Sequence, residues 1–346
     1  CQTRGSLVLT YRGFIPIQDV KVGDLVLTHK GRWRPVQAVA NTGIRSVVDL
    51  RAQGVAALTL TPDHKLWTRK SDWARERDGA ERTDPAWIAA SETVGGYINL
   101  KLPPIKDSDL TPQECWLIGR WLADGHIGTR GDFHVSIGHD KLTEFKFLAG
   151  EYAGTAREGT AIQVRLKNLH RKVVDVLRLC GHGASGKQVP VELLALPEEK
   201  ACYLLDGYLS GDGHFVPERG TWMATSVSRP LLLGFAMLAQ RVHGTIATLR
   251  PGRPSGCTTI EGREVQTRQE WILSFDIKGA RRKSPFVLDD GAWKKVRSVE
   301  MAGEAETWCL QVAEDESFTA EGCIVKNCPL QFDIVDRLIN RYSNPG

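Results

Sequence analysis

The sequence predicts an all-β domain interrupted by a mixed α/β domain, and three observations carry that expectation. Short β-rich runs open the chain and return near its end. A middle stretch alternates helical and strand-like periods. Within that stretch one helical motif occurs twice. At 346 residues, 42% hydrophobic and 25% charged, the chain has the composition of globular protein and, at roughly 150 residues per domain, material for two domains.

From Cys1 to about Pro104 the runs "SLVLT", "DLVLTH", "SVVDLRA" and "AALTLT" read as strands, and "RGF", "VGD" and "HKGRW" as the turns between them. From about Asp107 to Lys283, "TPQECWLIGRWLADG" and "EKACYLLDGYLSGDG" have a helical period, whereas "DFHVSIG" and "AIQVRLK" alternate like strands. After "KGARRKSP" and the turn "LDDGAW", strands resume in "KKVRSVEM", "TWCLQV" and "GCIVKN". A β layout broken off and resumed points to an insertion, which a host accepts where its loop ends lie close together. The expected divisions are 1–104 and 291–327 for the β domain, 105–290 for the insert and 328–346 for a separate tail. In that tail "QFDIVDRLINRY" reads as an amphipathic helix ending at "SNPG".

Charge and cysteine usage narrow the classes. The formal net charge of +4 is compatible with nucleic acid without requiring it. No apolar run reaches the ~18 residues of a membrane span and no charged-then-apolar leader opens the chain, so a soluble, cytoplasmic monomer with no membrane partner is expected. The 8 cysteines lack CxxC pairs, and Cys180 with His182 in "LCGHG" has no second pair, so neither a disulfide framework nor structural zinc is expected. Some of these thiols are then candidates for reactivity. Asn327-Cys328 sets a cleavable amide beside a thiol at the end of the strand "CIV", and Cys1 sets another thiol at the far end.

Three stretches carry a resemblance. They are Cys1 with "RGSLVLTYRGFIPIQDVKVGDLVLTHKGRWRPV", then "TLTPDHKLWTR", then "TWCLQVAEDESFTAEGCIVKNC". Together they resemble the splicing blocks of inteins over residues 1 to about 104 and about 291 to 328. The resemblance implies the all-β Hint (hedgehog/intein) horseshoe fold. An amide is a poor electrophile, so acyl transfer needs a nucleophile, a polarised carbonyl and a proton for the leaving amine. By resemblance Cys1 is the first nucleophile, Thr61 a hydrogen-bond donor and His64 an acid/base near neutral pH. Cys328 is the second nucleophile, and Asn327 cyclises to release the element from its flanking exteins. Splicing needs no cofactor. Three positions depart from the pattern: Lys326 precedes Asn327 where histidine is common, Cys309 stands where aspartate is frequent, and Glu316 where histidine is common. Lys326 serves as a neutral-pH acid/base only if its pKa is depressed. Cys309 is read as a modulator or as packing.

"LIGRWLADGHI" and "LLDGYLSGDGHF" resemble the two LAGLIDADG helices of a single-chain homing endonuclease, which implies two pseudo-symmetric αββ-type halves. Gly119, Ala123, Gly207 and Gly211 are small residues that let two helices approach closely. Asp124 and Asp212 then end the helices before Gly125 and Gly213, read as C-caps. Two carboxylates at helix C-termini oppose the macrodipoles and repel each other. Mg²⁺ would relieve both, and Asp124 and Asp212 are therefore the expected metal ligands and catalytic residues for cutting double-stranded DNA. His126 and His214 follow the repeated Asp-Gly and read as part of the repeat rather than as ligands. "VRLKNLHRK", "RVHG", "TLRPGR" and "KGARRK" offer cations for phosphates. The 19 residues from Cys328 resemble the stretch before the cofactor-binding strand of amino-group DNA methyltransferases, which implies such a host. Two alternatives stay open: a self-cleaving Hint protein whose middle domain only binds DNA, and hedgehog-like transfer to an external nucleophile, which gives no reason for Asn327-Cys328.

Overall fold

The computed structural model describes all residues except 57, 71–82, 160, 261–262, 278–286 and 328–346. Cys328, the tail helix expected at 331–342 and the whole of "KGARRK" therefore lie outside the described residues. The chain parts into two compact units, one made of Cys1–Pro104 with the described residues after 286, the other of Ile105–Ser284.

The first unit is β-rich, and its spine is one long antiparallel pairing. Strand Trp33–Ala52 runs against strand Gly291–Val312, from Ala52 opposite Val296 to Val36 opposite Val312. The ribbon is 20 and 22 residues long, with register shifts at four places that let it bend. Its ends are buried, but Ile44 and Met301 in its middle are 73% and 70% exposed, so the centre of the ribbon extends past the core. Strands predicted separately as "KKVRSVEM" and "TWCLQV" are one continuous strand. Bulges along it absorb the change of direction.

Both ends of the unit enter this sheet. Gln2 and Thr3 pair with Trp308 and Thr307 on one side, and Gln2 with Leu60 on the other. Strand Leu7–Thr10 pairs through Val8 with Ala320 of the hairpin Ser317–Ala320/Cys323–Lys326, and Val325 faces Leu66. Val8, Ile17, Leu50, Leu58, Leu60, Leu66, Leu310, Phe318 and Val325 form one buried core. Fully burying each such side chain contributes about 1.5–3 kcal/mol. The "VGD" turn needs its glycine: Gly23 has φ +91 and donates its amide to the Val36 carbonyl, while Asp24 accepts from the Lys21 amide.

The second unit is built from two halves. The first opens with helix Pro112–Asp124 and has a four-stranded sheet in the order Gly125–Ile127, Phe133–Ile137, Ile162–Leu166, Ala153–Arg157. The second opens with helix Glu198–Asp212 and has the sheet Gly213–Val216, Thr221–Ser226, Trp271–Asp276, Thr248–Pro251. Each half thus runs beyond helix–strand–strand to a further helix and more strands. The first motif helix starts with a capping box, Thr111 accepting from the Glu114 amide and Glu114 from the Thr111 amide, with Pro112 at the first helical position.

The two motif helices cross at glycine. A Cβ on Gly119 would lie inside the carbonyl oxygen of Leu204, and one on Gly207 inside that of Trp116. The reciprocity places a pseudo-two-fold axis between the two glycines. Gly125 and Gly213 occupy the C-cap positions, their amides bonding the Trp121 and Leu209 carbonyls, in extended conformation with φ −82 and −83. They are glycine because each helix passes straight into a strand there, and a Cβ would strike Trp121 in one case and Leu209 in the other. Gly119→Val is expected to destabilise this unit by at least ~3 kcal/mol through overpacking. A chemical-denaturation midpoint for the unit that does not move would contradict so close a crossing.

Candidate functional site

One constellation in the first unit gathers around Cys1. The sequence Thr61-Pro62-Asp63-His64 is a reverse turn in which the His64 amide donates to the Thr61 carbonyl at 3.0 Å. That turn sets the two side chains toward one point. The terminal nitrogen of Cys1 donates to Thr61 Oγ1 at 2.6 Å and lies 3.1 Å from His64 Nδ1, and all three residues are buried. The Thr61 amide in turn donates to the Cys1 carbonyl at 2.9 Å. This ammonium stands where the amide nitrogen of a bond preceding Cys1 would be. His64 is thus placed at a nitrogen that would become the leaving group, while Thr61 accepts here rather than donates.

Cys309 joins the same group from the long strand. Its thiol donates to Cys1 Sγ at 2.8 Å, and the two sulfurs pack with Ala38 and Ala40. The sequence marked Cys309 as a departure without indicating this contact. The pairing that reveals it is tertiary, since 308 residues separate the two.

Asn327 ends strand Cys323–Lys326 and is buried. Its amide donates to the Glu316 carbonyl at 2.8 Å, and Nδ2 donates to the Val312 carbonyl at 3.2 Å. Its Oδ1 is buried without a hydrogen-bond partner among the described residues. The side-chain nitrogen is therefore held by the chain 15 residues upstream, and must leave Val312 before it can reach its own carbonyl. Lys326 and Glu316, at the two positions where histidine was looked for, face each other with Nζ 3.6 Å from the carboxylate; Lys326 also lies over the Trp87 ring.

The turn before this hairpin is pinned by charge. Asp315 accepts from Thr28 Oγ1 at 2.7 Å and from both arms of Arg32, with Lys30 Nζ at 3.3 Å. Hydrogen bonding to Arg32 holds its carboxyl well below the usual range despite burial. Beside it His29 Nδ1 is 2.7 Å from Ser317 Oγ, and its ring meets Trp67 and Trp87. Burial lowers the His29 pKa from its ordinary 6.5, which keeps the ring neutral. None of this was legible in sequence.

A second constellation sits where the motif helices of the other unit end. Asp124 and Asp212 approach one another, and a Cβ on Gly211 would lie 2.9 Å from Asp124 Oδ2. Burial, then the charge of Asp124, pushes the Asp212 carboxyl up to about 6. Two cations not anticipated from the motif attend the pair. Arg120, buried on the first helix, bonds Asp124 through Nη1. Lys187 Nζ donates to the carbonyls of Trp121, Leu122 and Ala123 at 3.0–3.1 Å, capping the end of that helix. Burial lowers Lys187 to about 8. A cavity of about 260 Å³ opens beside them, lined by Asp212, Lys187, Thr225, Ser226 and Glu270 among others.

The polar faces of the two sheets differ. Across the first run His126, His134 and Arg165 in register, with His126 stacked on His134 at 5.2 Å and Asp132 bonded to His134. Ser136 and Gln163 form the next row. The second sheet offers His214, Met223, Ser274 and Thr248 in one row and Thr225, Ile272 and Arg250 in the next.

No protein-family model matches the chain. It is 25% identical over 436 residues to the ATP-dependent DNA helicase Hel308 of Thermococcus kodakarensis, an alignment spanning 100% of this chain and 38% of the relative. It is 26% identical over 368 residues to an iron-sulfur cluster assembly SufBD family protein of Mycobacterium tuberculosis, spanning 95% of this chain and 43% of the relative. The chain therefore spans less than half the length of these curated relatives. Among solved structures it aligns with a DnaB intein from Synechocystis sp. PCC 6803 at a TM-score of 0.31 and 8% identity, covering 94% of this chain and 96% of that one. It aligns with the N-terminal LAGLIDADG domain of DUF199/WhiA at a TM-score of 0.29 and 9% identity, covering 48% and 76%.

The raised Asp212 pKa has a testable sign. Ionising this carboxyl costs more in the folded than in the unfolded chain, so its contribution to stability falls as pH rises from 3.8 through about 6. Asp212→Asn is expected to stabilise this unit by about 1–3 kcal/mol above about pH 7 and to change nothing below about pH 4. Denaturant titrations across that range would refute the coupling if the difference did not vary with pH.

Proposed function

We propose that this chain is an intein carrying a homing endonuclease: a Hint splicing domain formed by residues 1–104 and from about 285 to 327, and a LAGLIDADG domain at 105–284, so the insert ends about six residues earlier than the sequence suggests. The single observation that carries the reading is the convergence of Cys1, Thr61 and His64 on the nitrogen of Cys1. Two of the curated relatives support it in another way. A DNA helicase and an iron-sulfur cluster assembly protein have no chemistry in common, yet each aligns with nearly the whole of this chain over under half of its own length. A self-removing element is one that unrelated hosts can carry.

In this reading the Cys1 thiol attacks the carbonyl before it, and the C–N bond breaks as His64 delivers a proton to the leaving nitrogen. A thioester results. The Cys328 thiol takes the acyl group by thioester exchange and returns the Cys1 sulfur as a thiol. Asn327 Nδ2 then attacks its own carbonyl, forming a succinimide and breaking the bond to Cys328. The freed α-amine of Cys328 captures the acyl group from its own sulfur, which leaves an ordinary peptide bond between the exteins. The burial of Asn327 keeps competing water from its carbonyl. The downstream host is read as an amino-group DNA methyltransferase.

In the middle domain the donor set fits a hard divalent cation. Two carboxylates converge, one of them, Asp212, raised by burial and its neighbour's charge and lining a cavity. Asp124 and Asp212 would hold Mg²⁺, whose role when bound is to polarise a scissile phosphate and its attacking water. Arg120 fixes the orientation of Asp124, and Lys187 supplies a cation at the cavity wall. The two sheet faces, rich in His, Arg, Gln and hydroxyl groups, suit the grooves of double-stranded DNA.

A chain with segments attached at both ends is expected to yield a joined flanking product lacking residues 1–327, measured by mass spectrometry; Cys1→Ala should abolish the joined product. Separate fragments alone would reduce the function to self-cleavage. For the middle domain, Mg²⁺-dependent cutting of the uninterrupted host gene is expected, with Asp124→Asn or Asp212→Asn reducing it at least ~100-fold. Binding without cutting by the unaltered chain would leave the DNA-binding alternative.

A further inference from the structure

Cys1 and Cys309 bring two thiols together in the first unit, and backbone pairing imposes their approach. Gln2 faces Trp308 and Thr3 faces Thr307 in an antiparallel register, which continued by one residue sets Cys1 opposite Cys309. Directly opposed residues in such a ladder have Cα atoms about 4.5–5.5 Å apart, inside the ~4.4–6.8 Å range of disulfides. The sulfurs are already 2.8 Å apart and share a pocket with the two small side chains Ala38 and Ala40.

We propose that Cys1 and Cys309 form a reversible oxidative modification site, in which a small peroxide converts the opposed thiols into a cross-strand disulfide. The co-reactant is hydrogen peroxide, small enough to reach side chains that are 3% and 2% exposed. One thiolate attacks a peroxide oxygen and breaks the O–O bond, giving a sulfenic acid and water. The second thiol attacks the sulfenic sulfur, the S–O bond breaks, and a second water leaves as the S–S bond forms. In net terms two thiols and one peroxide give one disulfide and two waters. The neighbouring thiol keeps Cys1 from further, irreversible oxidation. Resting on the reading of Cys1 as nucleophile, the bridge also takes that sulfur out of acyl transfer until a reductant reopens it.

The chain is treated with hydrogen peroxide and digested without reduction. The expected product is about 2 Da lighter than the dithiol, with Cys1–Arg4 joined to the peptide Ser298–Lys326. Because that peptide also contains Cys323, fragmentation must assign the bridge to Cys309. Dithiothreitol should restore both thiols, and Cys309→Ser should divert Cys1 to sulfinic acid. A wild-type Cys1 that becomes sulfinic acid, bridges another cysteine, or stays reduced at a dose that oxidises the exposed Cys257 would overturn the proposal. In a chain bearing both flanking segments, the bridged fraction should remain precursor until reduced. If a bridged fraction spliced, the nucleophile assignment would fail while the disulfide stood.

Discussion

The first unit depends on the pairing of Trp33–Ala52 with Gly291–Val312. The two strands are separated in the chain by more than 230 residues, so closing that loop carries a large entropic cost before any pair forms. The cost grows only logarithmically with length, which is why a whole folded unit can occupy the connection. What the ribbon then provides is register. Val36 opposite Val312 and Ala40 opposite Cys309 fix the far strand, and that strand fixes Thr307 and Trp308 against the first residues of the chain. A slip of one residue would turn Cys309 away from Cys1 and put the core side chains of Leu310 and Val312 into solvent. The geometry at the terminal nitrogen is thus secured by burial elsewhere.

Around that nitrogen, the structure separates two tasks. Thr61 and His64 come from a four-residue turn that sets them relative to each other, and the Thr61 amide ties that turn to the Cys1 carbonyl. Asn327 is placed by tertiary contacts: the Glu316 carbonyl, the Val312 carbonyl and the hairpin whose turn Asp315 anchors. Asp315 is inaccessible to solvent as a side chain, yet it is ionised because Arg32 and Thr28 supply hydrogen bonds that water would otherwise make. The end at which Asn327 sits is therefore held by a desolvated charge network, and the end at which Cys1 sits by backbone pairing. Restraint at Asn327 matters chemically, because its Nδ2 is committed to Val312 and does not wander toward its own carbonyl.

Much of this was legible in the sequence, for a physical reason. Thr61 and His64 lie three residues apart around a proline, and Asp124 and Asp212 sit at equivalent ends of repeated helices; local spacing encodes both. The small residues Gly119 and Gly207 announced a close helix crossing, and the reciprocal contacts with Leu204 and Trp116 have that form. What sequence could not encode is which distant side chain arrives. Cys309 reaches Cys1 across 308 residues, and Lys187 reaches the end of the first motif helix from 64–66 residues away. The Asp-Gly pairs placed Gly125 and Gly213 at the helix ends but did not give the reason for glycine there: the helix runs directly into a strand, and the demand is for room rather than for positive φ.

The two carboxylates show how unevenly a chain can compensate buried charge. Bringing Asp124 and Asp212 together at helix C-termini sums three unfavourable terms: burial, mutual repulsion and the macrodipoles. Lys187 answers the macrodipole by bonding three terminal carbonyls, and Arg120 answers Asp124 directly. Neither is hydrogen-bonded to Asp212 in the same way, and Asp212 is the carboxyl whose pKa is pushed up, to about 6. Compensation is therefore uneven. The part of the charge that the chain leaves least compensated borders the cavity, and that is where an added cation would gain the most free energy. The same unevenness explains why two helices related by pseudo-symmetry need not contribute equally: Arg120 has Tyr208 as its counterpart on the second helix, a residue with no positive charge to offer.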